Sequence, residues 1–113
     1  MNKTLSLVLI SKHIVPPGYL GITLFPFIFL KNKELKEDKE LLNHERIHLQ
    51  QQKELLVVFF YLFYIIEWAV KFIKYRNAYM AYMNLSFEKE AYQNEPDLGY
   101  LKSRKLYSFF NYL

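Results

Sequence analysis

The chain has 113 residues, a net charge of +4, ten Phe, ten Tyr and no Cys. That length supports one domain, 1–113, and an apolar share of 52 % excludes a globally disordered chain. The lack of cysteine excludes disulfides, a thiol nucleophile and a cysteine-based metal site, and fits a reducing cytoplasm.

The first ten residues carry one positive charge and a short apolar run without a small-residue cleavage site. They read as a strand over 5–10, not as a secretory signal. Pro16-Pro17-Gly18 marks a loop. Residues 19–30 are rich in aromatic and β-branched side chains and read as extended chain. Pro26 lies inside this stretch and cannot donate to a ladder, which predicts an edge strand or a bent hairpin arm.

Residues 31–40 are mostly charged and form a solvated turn. Asp38 is placed to accept from the free amides of a helix over 39–53, along which Leu41, Leu42, Glu45, His48, Leu49 and Gln52 recur at helical spacing. Residues 55–66 hold no charge, but this run is too short to cross a bilayer, which takes about 20 apolar residues. A buried core helix, or a helix lying against a membrane, fits it better. Lys71, Lys74 and Arg76 leave a peripheral membrane contact through 55–76 open.

A further helical segment over 77–94 is expected to kink near Asn84 and to end at Pro96. Asp97 is expected to cap a last short helix through Arg104, before an aromatic tail. The expected fold is α+β and mostly helical, with a small N-terminal strand or hairpin. Lys102, Arg104 and Lys105 add to the scattered basic residues, but no nucleic-acid motif accompanies them, so a solvated or membrane-facing rim is expected.

The chemistry lies in His44-Glu45-Arg46-Ile47-His48. Residues i and i+4 of a helix share a face, so both imidazoles can reach one tetrahedral zinc. Glu45, about 100° round the helix, is placed on the rim, where a carboxylate can take a proton from a metal-activated water. The pattern arises by chance in roughly 1 % of chains of this length and composition, so it carries weight. Two histidines leave the metal short of a protein ligand. The candidates are Glu67, Glu88, Glu90, Glu95 and His13. Glu88 fits best: it shares a face with Ala91, which lets its helix pack closely against the histidine helix. Glu90 faces about 200° away from Glu88. Gln51, seven residues after His44, lies near the same face, and its run of three Gln otherwise reads as a polar stretch of helix.

His-Glu-x-x-His followed by Glu88-Lys89-Glu90-Ala91, a Glu-x-x-Ala helix, resembles the gluzincin clan of zinc metallopeptidases over roughly residues 19–95. The small size is similar to the minigluzincins, and the Phe87–Tyr92 segment is similar to short bacterial zincin-like proteins. The resemblance implies zinc held by His44, His48 and Glu88, with Glu45 as general base. It also implies a peptide or protein substrate lying along an edge strand over 22–30. Many members of the clan place an aspartate four residues after the ligand glutamate, to orient a histidine; here that position is Tyr92. Tyr79, Tyr82, Tyr92 and Arg76 are candidate donors to a developing oxyanion. The tail over 106–113 is a candidate plug that would keep such a peptidase latent, and otherwise reads as ordinary core packing. A second reading from another class is a small membrane-associated or partner-binding helical protein in which zinc is structural or absent.

Overall fold

A computed structural model describes residues 7–113. Leu5 and Ser6 of the expected first strand lie outside the described residues. The fold is α+β and mostly helical. A three-stranded sheet is formed by β1 (Leu7–Ile10), β2 (Gly21–Leu24) and β3 (Phe27–Leu30) in the order β1-β3-β2. β1 pairs with β3 in parallel (Leu7 opposite Phe27), and β2 pairs with β3 antiparallel (Gly21 opposite Leu30). The extended stretch over 19–30 is therefore not a single edge strand. Pro26 lies in the two-residue turn between β2 and β3, where its missing N–H breaks no ladder bond. Strand β3 is thus central, with β1 at one edge of the sheet and β2 at the other, and the outer side of β2 has no strand partner among the described residues. Ile28 and Leu30 are fully buried, on alternate positions of β3.

Helix α1 (Lys39–Glu54) begins where Asp38 accepts from the Leu41 amide (3.0 Å), as its sequence predicts. It is the hub of the molecule. Gln52 reaches the sheet, its Nε2 donating to Thr23 O (2.9 Å) and its Oε1 accepting from Phe25 N (2.8 Å). The chain then turns by 110° into α2 (Val58–Tyr75), through Leu56 and Val57 with φ of 56° and 59°. A β-branched residue rarely adopts positive φ, so the turn is held by its surroundings against local preference. The segment expected over 77–94 divides at Asn84 into α3 (Ala78–Met83) and α4 (Ser86–Asn94).

The apolar run over 55–66 is not a buried core helix. Of α2 only Phe60 and Glu67 are buried. One face packs inward while the opposite face has none of the described residues packed against it. No single described helix is long and apolar enough to cross a membrane. The inner face joins an aromatic core of Phe60, Phe87 and Phe109, with Phe60–Phe87 and Phe87–Phe109 centroids 4.6 and 4.7 Å apart. Phe109 belongs to a 3-10 turn, Ser108–Tyr112, and is fully buried. The aromatic tail is thus anchored in the core through Phe109, which fills the space between α2 and α4, and it lines neither cavity at the histidines, so it is not a plug. Asp97 does not cap the last helix, α5 (Tyr100–Ser103). Gly99 occupies that position, and Asp97 Oδ1 accepts from its amide (3.1 Å).

Candidate metal centre

His44, His48 and Glu88 converge, all three buried. The two histidines lie one turn apart on α1, and Glu88 comes from the first turn of α4. Two contacts fix α4 in this place. At its start, Glu67 of α2 accepts from Ser86 N (3.0 Å) and Ser86 Oγ (2.7 Å), satisfying a free amide of the first turn. At its end, Asn43 Nδ2 donates to the carbonyls of Asn94, Glu95 and Asp97 (2.9–3.2 Å). Ala91, fully buried, lets the helices approach. Glu67 therefore anchors the helix that carries Glu88 and is not itself a member of the cluster.

The three donor atoms form a nearly regular triangle. His44 Nε2 is 3.2 Å from His48 Nε2, and Glu88 Oε1 lies 3.1 Å from His48 Nε2 and 3.4 Å from His44 Nε2. A tetrahedral zinc with bonds of about 2.0–2.1 Å has ligand–ligand edges of about 3.3–3.4 Å, so the triangle matches one face of such a polyhedron. The far ring nitrogens decide the tautomers. His44 Nδ1 donates to Glu95 Oε1 and His48 Nδ1 to Gln51 Oε1, both at 2.8 Å. Gln51 must accept here, because its amide nitrogen is already donating to Phe87 O (3.1 Å) and Glu90 Oε1 (2.9 Å). With both Nδ1 protonated, neutral rings aim two Nε2 lone pairs and a carboxylate oxygen at one point. Only a cation or a shared proton relieves this convergence. Without metal a proton serves: burial alone would push the His48 pKa down, but the Glu88 carboxylate outweighs it and raises it to about 9. Burial likewise opposes the charge on Glu88, yet the imidazoles hold its pKa well below the usual carboxylate range.

Tyr64 donates to the second oxygen of Glu88 (3.1 Å), leaving Oε1 free for the cluster. Burial, reinforced by Glu88, pushes the pKa values of Tyr64 and Tyr82 far up, so both phenols stay protonated as donors. Glu45 lies beside the cluster on the sheet side. Thr23 Oγ1 donates to Glu45 Oε1 (2.7 Å) and to Glu45 O (3.0 Å). A Cβ at Gly21 would come within 3.3 Å of Glu45 Oε2, so the absent side chain keeps that oxygen's space open. A cavity of about 290 Å³ is lined by His44, Glu45, His48, Glu88 and the edge strand β2. A second, of about 340 Å³, shares Gly21, His44, Glu45 and Tyr82 with it.

The other candidates lie elsewhere. His13 is exposed in a turn. Tyr79 is 66 % exposed, and Arg76 is exposed at the end of α2, where Nε donates to Ile73 O. Glu90 faces away from the metal cluster into a buried ion pair with Arg104. Tyr92 does not take the His44 N–H: its ring packs edge-on against the imidazole (4.4 Å between centroids), and its hydroxyl pairs with Tyr82 (3.1 Å). Glu95 accepts that N–H instead, a role the sequence did not show because it depends on how the end of α4 is seated against α1. Tyr64 was also hidden, one tyrosine within an uncharged apolar run. No family model, no curated protein and no solved structure matches the chain.

Proposed function

We propose that this protein is a minimal zinc hydrolase of gluzincin type, acting on peptide bonds, with His44, His48 and Glu88 as the metal ligands. The observation that supports this most is the triangle of three convergent acceptors at tetrahedral spacing, each held from behind by a hydrogen bond. Zinc bound there would supply Lewis acidity, bringing the pKa of a water toward neutrality.

The protein's own residues divide the remaining work. Glu45, positioned by Thr23, receives the proton of the attacking water and returns it to the leaving amine. An extended substrate lies along the outer edge of β2, pairing through main-chain hydrogen bonds, with the two cavities that Glu45 lines taking its flanks. Tyr82, which lines both cavities and stays protonated, is the donor for the developing oxyanion. Glu95 and Gln51 set the tautomers of the ligand histidines.

The test is zinc-dependent cleavage of a mixed peptide library, read by mass spectrometry. Cleavage that is abolished by a chelator and restored by zinc is expected; no cleavage by the zinc-loaded protein would overturn the hydrolase reading. A second expectation concerns orientation. Glu95 is partly exposed, so Glu95→Ala should leave the melting temperature nearly unchanged. It should weaken zinc binding by about 10–100-fold, measured by competition with a chromophoric chelator.

A further inference from the structure

We propose that the outer face of α2 docks the protein flat on an anionic lipid bilayer. Phe59, Leu62, Ile65, Ile66, Val70 and Ile73 lie 53–69 % exposed. With Ile65 and Ile66 adjacent and the others three or four residues apart, they form one broad stripe about 21 Å long on the side of the helix turned away from the buried Phe60 and Glu67. The stripe widens toward the tail, where half-exposed Phe110 packs beside Phe63 (6.0 Å between centroids). A contiguous apolar surface of this extent marks a partner or a membrane, not ordinary solvent-facing protein.

The charges select the membrane. The only acid of α2, Glu67, is buried against Ser86, so the exposed side of the helix offers no carboxylate. Glu54, at the end of α1, is taken up by Arg104. The charges at the far end of the stripe are cations: exposed Lys74, lying over the Tyr75 ring (5.2 Å), and exposed Arg76. If a second copy covered the stripe through its own α2, those cations would meet apolar side chains in one orientation and each other in the opposite one. An anionic bilayer supplies both complements, acyl chains for the stripe and headgroup charge for its basic end. Because no single described helix is long and apolar enough to cross, the helix lies along the surface.

This inference does not rest on the metal reading and should hold for metal-stripped and zinc-loaded protein alike. The experiment is flotation of the full chain with phosphatidylcholine vesicles, with and without phosphatidylglycerol. Trp68, the only tryptophan and a residue of α2, reports contact through its fluorescence. Wild type is expected to float with the phosphatidylglycerol vesicles, with a blue shift of Trp68 emission. Ile66→Glu/Ile73→Glu alters only exposed positions; it should keep the wild-type circular dichroism and lower partition by at least about tenfold. Lys74→Gln and Arg76→Gln should each lower partition on anionic vesicles by about fivefold, with no effect on neutral ones. Wild type that stays unbound with both vesicle types would overturn the proposal. So would Ile66→Glu/Ile73→Glu floating as well as wild type. A solution dimer that this variant dissociates, without vesicle binding by wild type, would assign the face to a second copy instead.

Discussion

Arg104→Met is expected to destabilise the fold by about 3–5 kcal/mol, a cost comparable to emptying a fully buried aliphatic position. Arg104 bridges Glu54 and Glu90, and all three side chains are at most 2 % exposed. Its Nη2 donates to Glu54 Oε1 (3.2 Å) and to Glu90 Oε1 (3.1 Å), while Nε pairs with Glu90 Oε2. Removing the guanidinium leaves two carboxylates in the interior without a cation. Tyr100, Gln51 and the Tyr107 amide still donate to them but cannot neutralise them. For a domain of this size the loss should lower Tm by more than about 10 °C in a thermal melt.

The same cluster predicts a pH dependence. Burial opposes the Glu90 charge, but its bonds from Arg104, Tyr100 and Gln51 outweigh that and hold its pKa below the ordinary carboxylate value. A folded pKa below the unfolded one gives stability that is present above the unfolded pKa, about 4.3 for Glu, and lost as pH falls through the folded value. Urea midpoints should therefore separate wild type from Arg104→Met most near neutral pH and least in acid. A constant gap across that range would contradict the assignment. The cluster also reaches the metal centre, because Glu90 holds Gln51 and Gln51 holds His48. Arg104→Met that still folds should accordingly bind zinc more weakly.

Glu45→Gln is expected to carry the largest effect on activity of any substitution that leaves the metal ligands in place. The amide oxygen can still accept from Thr23, so the side chain should stay in place while its capacity to take a proton is removed. The turnover of any peptide cleaved by the zinc-loaded protein should fall by about 10²–10⁴-fold, with zinc content and Tm preserved. A variant retaining wild-type zinc-dependent turnover would remove Glu45 from the proposed mechanism.

The helix over 39–54 and its Asp38 cap were legible because both are local: a capping carboxylate followed by periodic spacing. The meeting of His44 and His48 follows from helical geometry, and the orientation of Glu88 away from Glu90 follows from their offset on α4. Whether α4 would return to α1 was not local. It depends on Glu67 holding Ser86 and Asn43 gathering the carbonyls at the other end, contacts between residues 19 to 54 positions apart. Glu95 was read only as an alternative ligand, since its place behind His44 is set by that same tertiary grip. The run over 55–66 left a buried core helix and a helix lying against a membrane both open, because composition gives hydrophobicity but not what covers it. For the tail over 106–113 the choice between a plug and ordinary core packing was not local: Phe109 is core, and only tertiary structure brings it to Phe87.

The most direct test of the central claim is the zinc content of purified protein after reconstitution and desalting, with wild type beside His44→Ala and Glu88→Ala. An equimolar amount in wild type, lost from both variants while their circular dichroism stays native, is the predicted result. Zinc absent from wild type, or retained in full by Glu88→Ala, would contradict the three-ligand centre on which the proposed chemistry depends.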